Sequence, residues 1–244
     1  TRLRTVTGVQ TCALPISGGT GTRLHPLTIS VNKHLLPVGS KPMVLHCVNR
    51  LVEAGVTDIL IVTNPEYVGD FSMLLKSGKA FGCNITYKTQ DKPDGVAGAL
   101  FCAKEFVGTD SCIVLLGDNM FNFSIKDAVQ SFKGGCGIFF KLVPDGHRYG
   151  IGRFRDGKLI SIDEKPSDVT KAHACIGIYL FDGNAFNIIR TLVPSGRGEY
   201  EICDVINDYL RRDAVVHTFV DGWWTDAGTM ESYKMANGMM NDNG

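Results

Sequence analysis

The sequence predicts an α/β domain: a doubly wound, Rossmann-like mixed sheet, mostly parallel, with helices on both faces. Two observations predict it. In the first half, short apolar runs such as Asp58-Ile-Leu-Ile-Val-Thr63 and Ser111-Cys-Ile-Val-Leu-Leu116 alternate with longer segments of helical period. Continuous apolar runs are what strands covered on both faces require. In the second half the rhythm changes to strands with short connections, which marks the mixed part of the sheet.

Taken in order, residues 1–15 read badly. The phosphate loop that follows them should be preceded by a buried central strand. The run there is Cys12-Ala-Leu-Pro-Ile16, and Pro15 lacks the N–H of a ladder residue and belongs on an edge. Residues 1–15 are therefore expected to be a non-native segment ahead of one domain spanning 16–244. In Pro42–Gly55, apolar residues at 44, 47, 48, 51 and 52 recur at helical spacing, with Gly55 as the stop signal. Strands are expected over 58–63, 85–89 and 111–116, and helices over 65–77 and 95–107. Strands over 137–143, 151–154, 158–163 and 175–181 follow. Helices near 184–192 and 200–212, a strand over 215–220 and a last helix from about Thr229 complete the chain. The domain divides into a nucleotide-binding half, 16–135, and a half with a mixed sheet carrying a substrate-binding lobe, 136–244.

Composition excludes several functions. The chain has 244 residues, with 25 Lys and Arg against 25 Asp and Glu. That balance leaves no basic footprint for nucleic acid. No apolar run is long enough to span a membrane. The 8 cysteines form no C-x-x-C pair and lie mostly in apolar runs. They read as buried free thiols in a reducing compartment, which points to the cytoplasm.

The chemistry centres on Ser17-Gly-Gly-Thr-Gly-Thr-Arg-Leu24. Gly18, Gly19 and Gly21 leave room for backbone N–H groups to close on a phosphate chain. Arg23 adds a charged donor fork and Lys33 a movable charge. The loop lacks the Gly-Lys-[Ser/Thr] of a Walker motif and the third glycine of a dinucleotide fingerprint. Two carboxylates, Asp118 and Asp226, follow short apolar runs, where α/β sheets place ligands. Each alone reads as a cap or turn residue. Together they are candidates to hold Mg²⁺, whose sites use one or two carboxylates plus phosphate oxygens. Read from the residues alone, Gln90-Asp-Lys-Pro-Asp-Gly95 is a Pro-Asp-Gly turn, and Glu164–Lys165 a solvated pair. Tyr179 and Trp224 serve equally as core or site wall. Glu199 and Glu201 stay open between capping, arginine pairing and a site role. No Ser, Cys or His nucleophile constellation is present.

The pattern Gly18-Gly-Thr-Gly-Thr-Arg-Leu24 followed by Lys33-His-Leu-Leu-Pro-Val38 resembles the sugar-nucleotidyltransferase family. Leu116-Gly-Asp-Asn119, Arg148-Tyr-Gly150, Asp163-Glu-Lys-Pro166, Ile176-Gly-Ile-Tyr179 and Arg197-Gly-Glu-Tyr-Glu-Ile202 extend the resemblance over about residues 16–240. Ile16-Ser17 stands where the family usually has Leu-Ala, and Val96 where it has Leu. The resemblance implies a nucleotide-diphospho-sugar transferase fold. It also implies transfer of a nucleotidyl group, thymidylyl first and uridylyl second, from a triphosphate to a sugar 1-phosphate. The substrates would be dTTP and glucose 1-phosphate.

By resemblance, Gly18, Gly19, Gly21, Thr22, Arg23, Gln90, Pro93 and Gly95 bind the nucleotide. Arg23, Lys33 and Asp118 are catalytic, and Asp118 and Asp226 hold Mg²⁺. Tyr149, Gly150, Glu164, Lys165, Gly177, Tyr179 and Arg197 bind the sugar phosphate. The different-class alternative is an inactive sensor of sugar nucleotides, which typically loses the loop arginine, the lysine or a metal carboxylate. Many family members continue through further C-terminal helices that support assembly and a second nucleotide site. This sequence stops at Gly244, so weaker or absent feedback inhibition by dTDP-sugar is expected through that region, and assembly into a homo-oligomer stays open.

Overall fold

A computed structural model describes Val9, residues 11–15 and residues 21–241. The strand β1 (Thr11–Pro15) comes first, and two-residue strands β2 (Pro37–Val38) and β3 (Lys41–Pro42) lead into α1 (Met43–Glu53). Next are β4 (Asp58–Thr63), α2 (Val68–Leu75), β5 (Asn84–Thr89), α3 (Val96–Cys102), α4 (Lys104–Val107) and β6 (Cys112–Leu115). β7 (Asn119–Phe121), α5 (Lys126–Ser131), β8 (Cys136–Val143), β9 (Gly150–Arg155), β10 (Lys158–Glu164) and β11 (Ala172–Phe181) follow. The last elements are α6 (Ala185–Ile189), α7 (Ile202–Arg211), β12 (Val215–Phe219), β13 (Trp224–Asp226) and α8 (Met230–Asn241).

The main sheet runs β10-β9-β11-β6-β1-β4-β5, and β8 joins β11 to β12. β6, β1, β4 and β5 are parallel, as are β8 and β12. The β6–β11, β8–β11, β9–β11 and β9–β10 pairs are antiparallel. The sheet is thus more evenly mixed than the mostly parallel one the helix–strand alternation led us to expect. The parallel portion lies in the first half, where helices intervene.

Helices do cover both faces. Along β4, Ile59 and Ile61 pack toward α1 and α2 with Met43, Cys47, Leu51 and Phe71. The alternate residues Leu60 and Val62 pack toward α3, α6 and α7 with Leu100, Phe186, Val205 and Ile206. Period-2 alternation with both faces buried explains why the run is apolar throughout. In α1 the buried positions 43, 44, 47, 48 and 51 form one stripe. Gly55, at φ 90°, ends it in a conformation that favours glycine.

β1 lies between β6 and β4, at the centre of the sheet. Pro15 is therefore not on an edge strand. It is tolerated because pairing with β6 covers only Thr11–Ala13, so beyond Ala13 the strand is paired with β4 alone. Val9 is buried, and its N–H donates to the Val129 carbonyl at 3.1 Å. The single helix expected over 95–107 is divided into α3 and α4 at Ala103. β7 and α5 were not foreseen. The seven cysteines from Cys47 to Cys203 are free, and all but Cys102 are buried. Among the described residues no helix is long and apolar enough to cross a membrane.

Candidate active site

A separate two-stranded ribbon builds the centre of the site. β7 pairs antiparallel with β13, and Asp226 falls opposite Asn119. The Ala227 N–H donates to the Asp118 carbonyl at 2.8 Å. Trp224 anchors the pair: its Nε1 donates to Asn119 Oδ1 at 2.7 Å. Asp118 and Asp226, far apart in sequence, thereby face one space. A methyl on Gly228 would lie 3.4 Å from Asp226 Oδ2, 3.7 Å from Asp118 Oδ2 and 3.8 Å from Arg23 Nη2. The missing side chain leaves a cradle between two carboxylates and a guanidinium.

Each carboxylate has a cationic partner. Lys33 Nζ reaches Asp118 Oδ2 at 2.6 Å, with the side chains 10% and 17% exposed. Lys33 sits on a short 3-10 turn, Lys33–Leu35, opened by Asn32, whose Oδ1 accepts the His34 N–H at 3.0 Å. Burial works to raise the Asp118 carboxyl, but the Lys33 charge and hydrogen bond carry it well below the usual carboxylate range. Asp226 moves the other way: burial, then the charge of Asp118, raises its carboxyl despite Arg148. Arg148 Nη2 donates to both Asp226 oxygens, at 2.9 and 2.6 Å, while Nη1 donates to Asp145 Oδ2 at 2.7 Å. The Tyr149 hydroxyl donates to Asp226 Oδ1 at 2.9 Å. The donor set fits a hard cation. Among the described residues no three His, Cys, Asp or Glu side chains gather as a closed metal cage, and two carboxylates open to phosphate oxygens are the pattern Mg²⁺ uses.

A cavity of about 210 Å³ extends from this cradle. It brings together Arg23, Asp118, Tyr149, Gly150, Glu164, Lys165, Gly177, Tyr179 and Asp226 of the predicted set. A larger cavity of about 560 Å³ shares the Arg148–Tyr149–Trp224 wall but lacks Arg23, Asp118 and Glu164, so the smaller one is the candidate site. Glu164 Oε1 accepts from Arg197 Nη2 at 3.0 Å and lies 3.4 Å from Lys165 Nζ. Arg197 is itself held by Glu201, at 2.8 Å, and faces Glu199 at 3.4 Å. It reaches the cavity through its glutamates rather than as part of the wall. Glu201, at the head of α7, is an arginine partner, and also accepts the Ser195 hydroxyl at 2.6 Å. Lys165 has φ 45°, a region disfavoured for residues other than glycine, and its N–H donates to the Tyr149 carbonyl at 3.0 Å. Such strain concentrates at functional positions.

Other predicted residues lie elsewhere. Gly18 and Gly19 fall outside the described residues. Gly21, at φ 67°, turns the chain into the Thr22–Leu24 helix, which leaves Thr22 and Arg23 exposed. Gln90, Pro93 and Gly95 do not line the cavity. Gln90 donates to Asp94 and to the Gly95 carbonyl, and Pro93 is exposed. Gly95, at φ 96°, is glycine because its backbone passes Tyr200; a Cβ there would stand 2.6 Å from the Tyr200 carbonyl oxygen. Gly177 answers to similar crowding, since a Cβ would meet Asn119 Nδ2 at 2.6 Å. Tyr179 is both core and cavity wall. Sequence reasoning missed the roles of Arg148 and Asp145, the Asn119–Trp224 lock, and Gly228. Only the Asp226-x-Gly228 spacing carried a usable signal for the last.

The nucleotidyl transferase family profile matches residues 13–243. The chain belongs to the nucleotidyl transferase family. This nucleotidyl transferase is 40% identical over 223 residues to the glucose-1-phosphate thymidylyltransferase of Mycolicibacterium smegmatis, covering 89% of the chain and 77% of that relative. It is 38% identical over 225 residues to the enzyme of the same name from Neisseria meningitidis, covering 89% and 78%. Among solved structures it superposes with TM-score 0.90 and 43% identity on a Bacillus anthracis protein assigned as a glucose-1-phosphate thymidylyltransferase, in complex with a sucrose. That match covers 95% of this chain and 96% of the other. A UDP-glucose pyrophosphorylase complexed with UDP-glucose, 23% identical with TM-score 0.83 over 97% and 100% of the two chains, shares the fold.

Proposed function

We propose that this nucleotidyl transferase moves a thymidylyl group from dTTP to glucose 1-phosphate, giving dTDP-glucose and diphosphate. The observation that carries the reading is the convergence of Asp118, Asp226 and Arg23 on the space left by Gly228, beside a cavity lined by Glu164 and Lys165. The names of the relatives at about 40% identity support the choice of base and sugar.

The acceptor phosphate is already a nucleophile at neutral pH, so catalysis is positioning and charge neutralisation. A sugar-phosphate oxygen bonds to the α-phosphorus. The bond from that phosphorus to the bridging oxygen breaks, and its electron pair leaves with diphosphate. Lys165 and Arg197 hold the attacking phosphate, and Arg23 with the Gly21 end of the loop holds the departing ones. Lys33 offsets charge at the α-phosphoryl group. By the family resemblance alone, Gln90, Pro93 and Gly95, which lie outside the 210 Å³ cavity, are assigned to the base, and Tyr149, Gly150, Gly177 and Tyr179 wall the sugar. Asp118 and Asp226 would hold Mg²⁺, which supplies Lewis-acid neutralisation of phosphate charge. The free thiols suit a reducing compartment, and we place the enzyme in the cytoplasm.

Diphosphate release with glucose 1-phosphate and Mg²⁺, run in parallel with dTTP, UTP, CTP and ATP, tests this. A dTTP preference is expected. Turnover with UTP instead would move the base assignment and keep the chemistry. Silence with all four, in folded protein, would favour a sensor of sugar nucleotides.

A further inference from the structure

Cys203 is the second residue of α7 and is 3% exposed, yet it borders the cavity. Its Sγ lies 3.0 Å from Glu164 Oε2. A thiol is ordinarily a weak donor, and a charged acceptor strengthens the bond. Burial, then the neighbouring Glu164 charge, holds the thiol well above its ordinary range, so it stays protonated and has a hydrogen to give. The other oxygen of the same carboxylate, Oε1, is taken by Arg197, which Glu201 holds. Glu201 and Cys203 both belong to the start of α7. One turn of helix thus grips Glu164 by both oxygens, directly through Cys203 and indirectly through Arg197.

The contact exists because of a gap. Gly150 pairs with Glu164 across β9–β10. A Cβ on Gly150 would stand 2.6 Å from Cys203 Sγ and 3.6 Å from Glu164 Oε2. Without a side chain at 150, the thiol meets the carboxylate. A glutamate on an open cavity would otherwise sample several rotamers, and fixing it in advance removes an ordering cost from binding. A carboxylate has about four acceptor directions, so each oxygen of Glu164 keeps capacity for a sugar hydroxyl in a fixed orientation.

Building on the proposed sugar-phosphate site, we infer that Cys203 is a positioning residue for sugar discrimination: its thiol donates to Glu164 Oε2 and sets which hydroxyl arrangement the cavity accepts. Cys203 touches the carboxylate and acts on the sugar through it. Cys203→Ala removes the donor, and Cys203→Ser keeps a donor in nearly the same place.

The test compares kcat and KM of wild type and both variants with glucose 1-phosphate, galactose 1-phosphate and mannose 1-phosphate. Cys203→Ala should raise KM for glucose 1-phosphate about tenfold, equivalent to ~1.4 kcal/mol. It should also narrow the preference over the epimers, with the nucleotide KM unmoved. Cys203→Ser should recover both within about twofold, on the scale of a retained hydrogen bond. Equal loss in both variants with an unchanged epimer ratio would mean Cys203 only fills space and would overturn the inference, as would wild-type behaviour in Cys203→Ala. A second readout needs no turnover. The infrared S–H stretch isolated in the wild type minus Cys203→Ala difference spectrum should lie below the free-thiol position and move back in Glu164→Gln. A band at the free-thiol position refutes the hydrogen bond. Wild type silent with glucose 1-phosphate but with a shifted band would count against the function and leave the Cys203–Glu164 contact standing.

Discussion

On the β7–β13 side of the cleft the charges are mostly hidden: Lys33 pairs with Asp118 and Arg148 with Asp226, each at 2.6 Å, with all four side chains 22% exposed or less, and Arg148 also meets Asp145 at 2.7 Å. On the α7 side, one guanidinium, Arg197, is 39% exposed and faces Glu164, Glu199 and Glu201 at 3.4 Å or closer. The first arrangement is costly to disturb, because removing one partner strands a buried charge. The second is screened and redundant, so each of its pairs is worth little alone. The β7–β13 side is thus built rigid, and the α7 side is built so that its exposed charges re-pair at little cost.

The largest expected effect comes from emptying the rigid side. Lys33→Ala or Asp118→Ala should lower turnover ~10²-fold or more, the scale for one lost transition-state partner. Lys33→Ala should also lower the melting temperature in EDTA, and Mg²⁺ should return much of that loss, because the stranded Asp118 charge regains a cation. A melting temperature indifferent to both would break the contrast. Next, Gly228→Ala should weaken Mn²⁺ binding, read by titration calorimetry, about tenfold or more, by filling the cradle. Stability should hardly move, since the added methyl meets its nearest atoms at 3.4 Å or beyond. Unchanged Mn²⁺ affinity would place the ion elsewhere. On the adaptable side, Arg197→Ala should raise KM for the sugar phosphate several-fold while costing under ~1 kcal/mol in urea unfolding, as screened pairs do. A collapse of stability would show that side to be equally rigid.

The smallest effect is in pH. His34 is buried beside Lys33, and burial, then the Lys33 charge, lowers its pKa from 6.5 to about 3. It stays neutral in the fold while the unfolded chain takes up a proton below about 6.5. Its contribution is therefore whole above that pH and is lost progressively as pH falls toward 3. In His34→Gln the decline of the urea midpoint between pH 6.5 and 4 should be shallower than in wild type; parallel curves would remove His34 from the acid limb.

Much of the fold was legible because the two-sided burial of β4 and β6 leaves a continuous apolar run, and because α1 shows a one-sided stripe. Asp118 was legible as a residue beyond the end of β6, and Asp226 as one closing a short apolar run, where it is the last residue of β13. Their meeting was not, because it depends on β7 and β13, which are three residues each, too short to show a period. Arg148 was silent for a similar reason: a guanidinium joining Asp145 to Asp226 spans 78 positions for one of its bonds. Gly95, read from the residues as part of a Pro-Asp-Gly turn, is constrained by the Tyr200 backbone, a contact no local pattern in the sequence carries. Cys203 looked like any apolar helix position, and only the gap at Gly150 exposes its neighbour.

β11 is shared by β6 of the first half and by β8 and β9 of the second. Its register with β8 shifts between Cys175 and Tyr179, and there Gly177 turns its N–H to Asn119 and its carbonyl to Leu116. A strand used by both sides cannot be released by one of them. The two halves of the cleft should therefore not open as independent units. Amide protons of Ile178–Phe181 should exchange with solvent only when the whole chain unfolds, at the same free energy as those of β6. Cutting the chain after residue 135 would leave β6 with a bare edge, so residues up to 135 are expected not to fold stably without β11, the strand that completes their sheet.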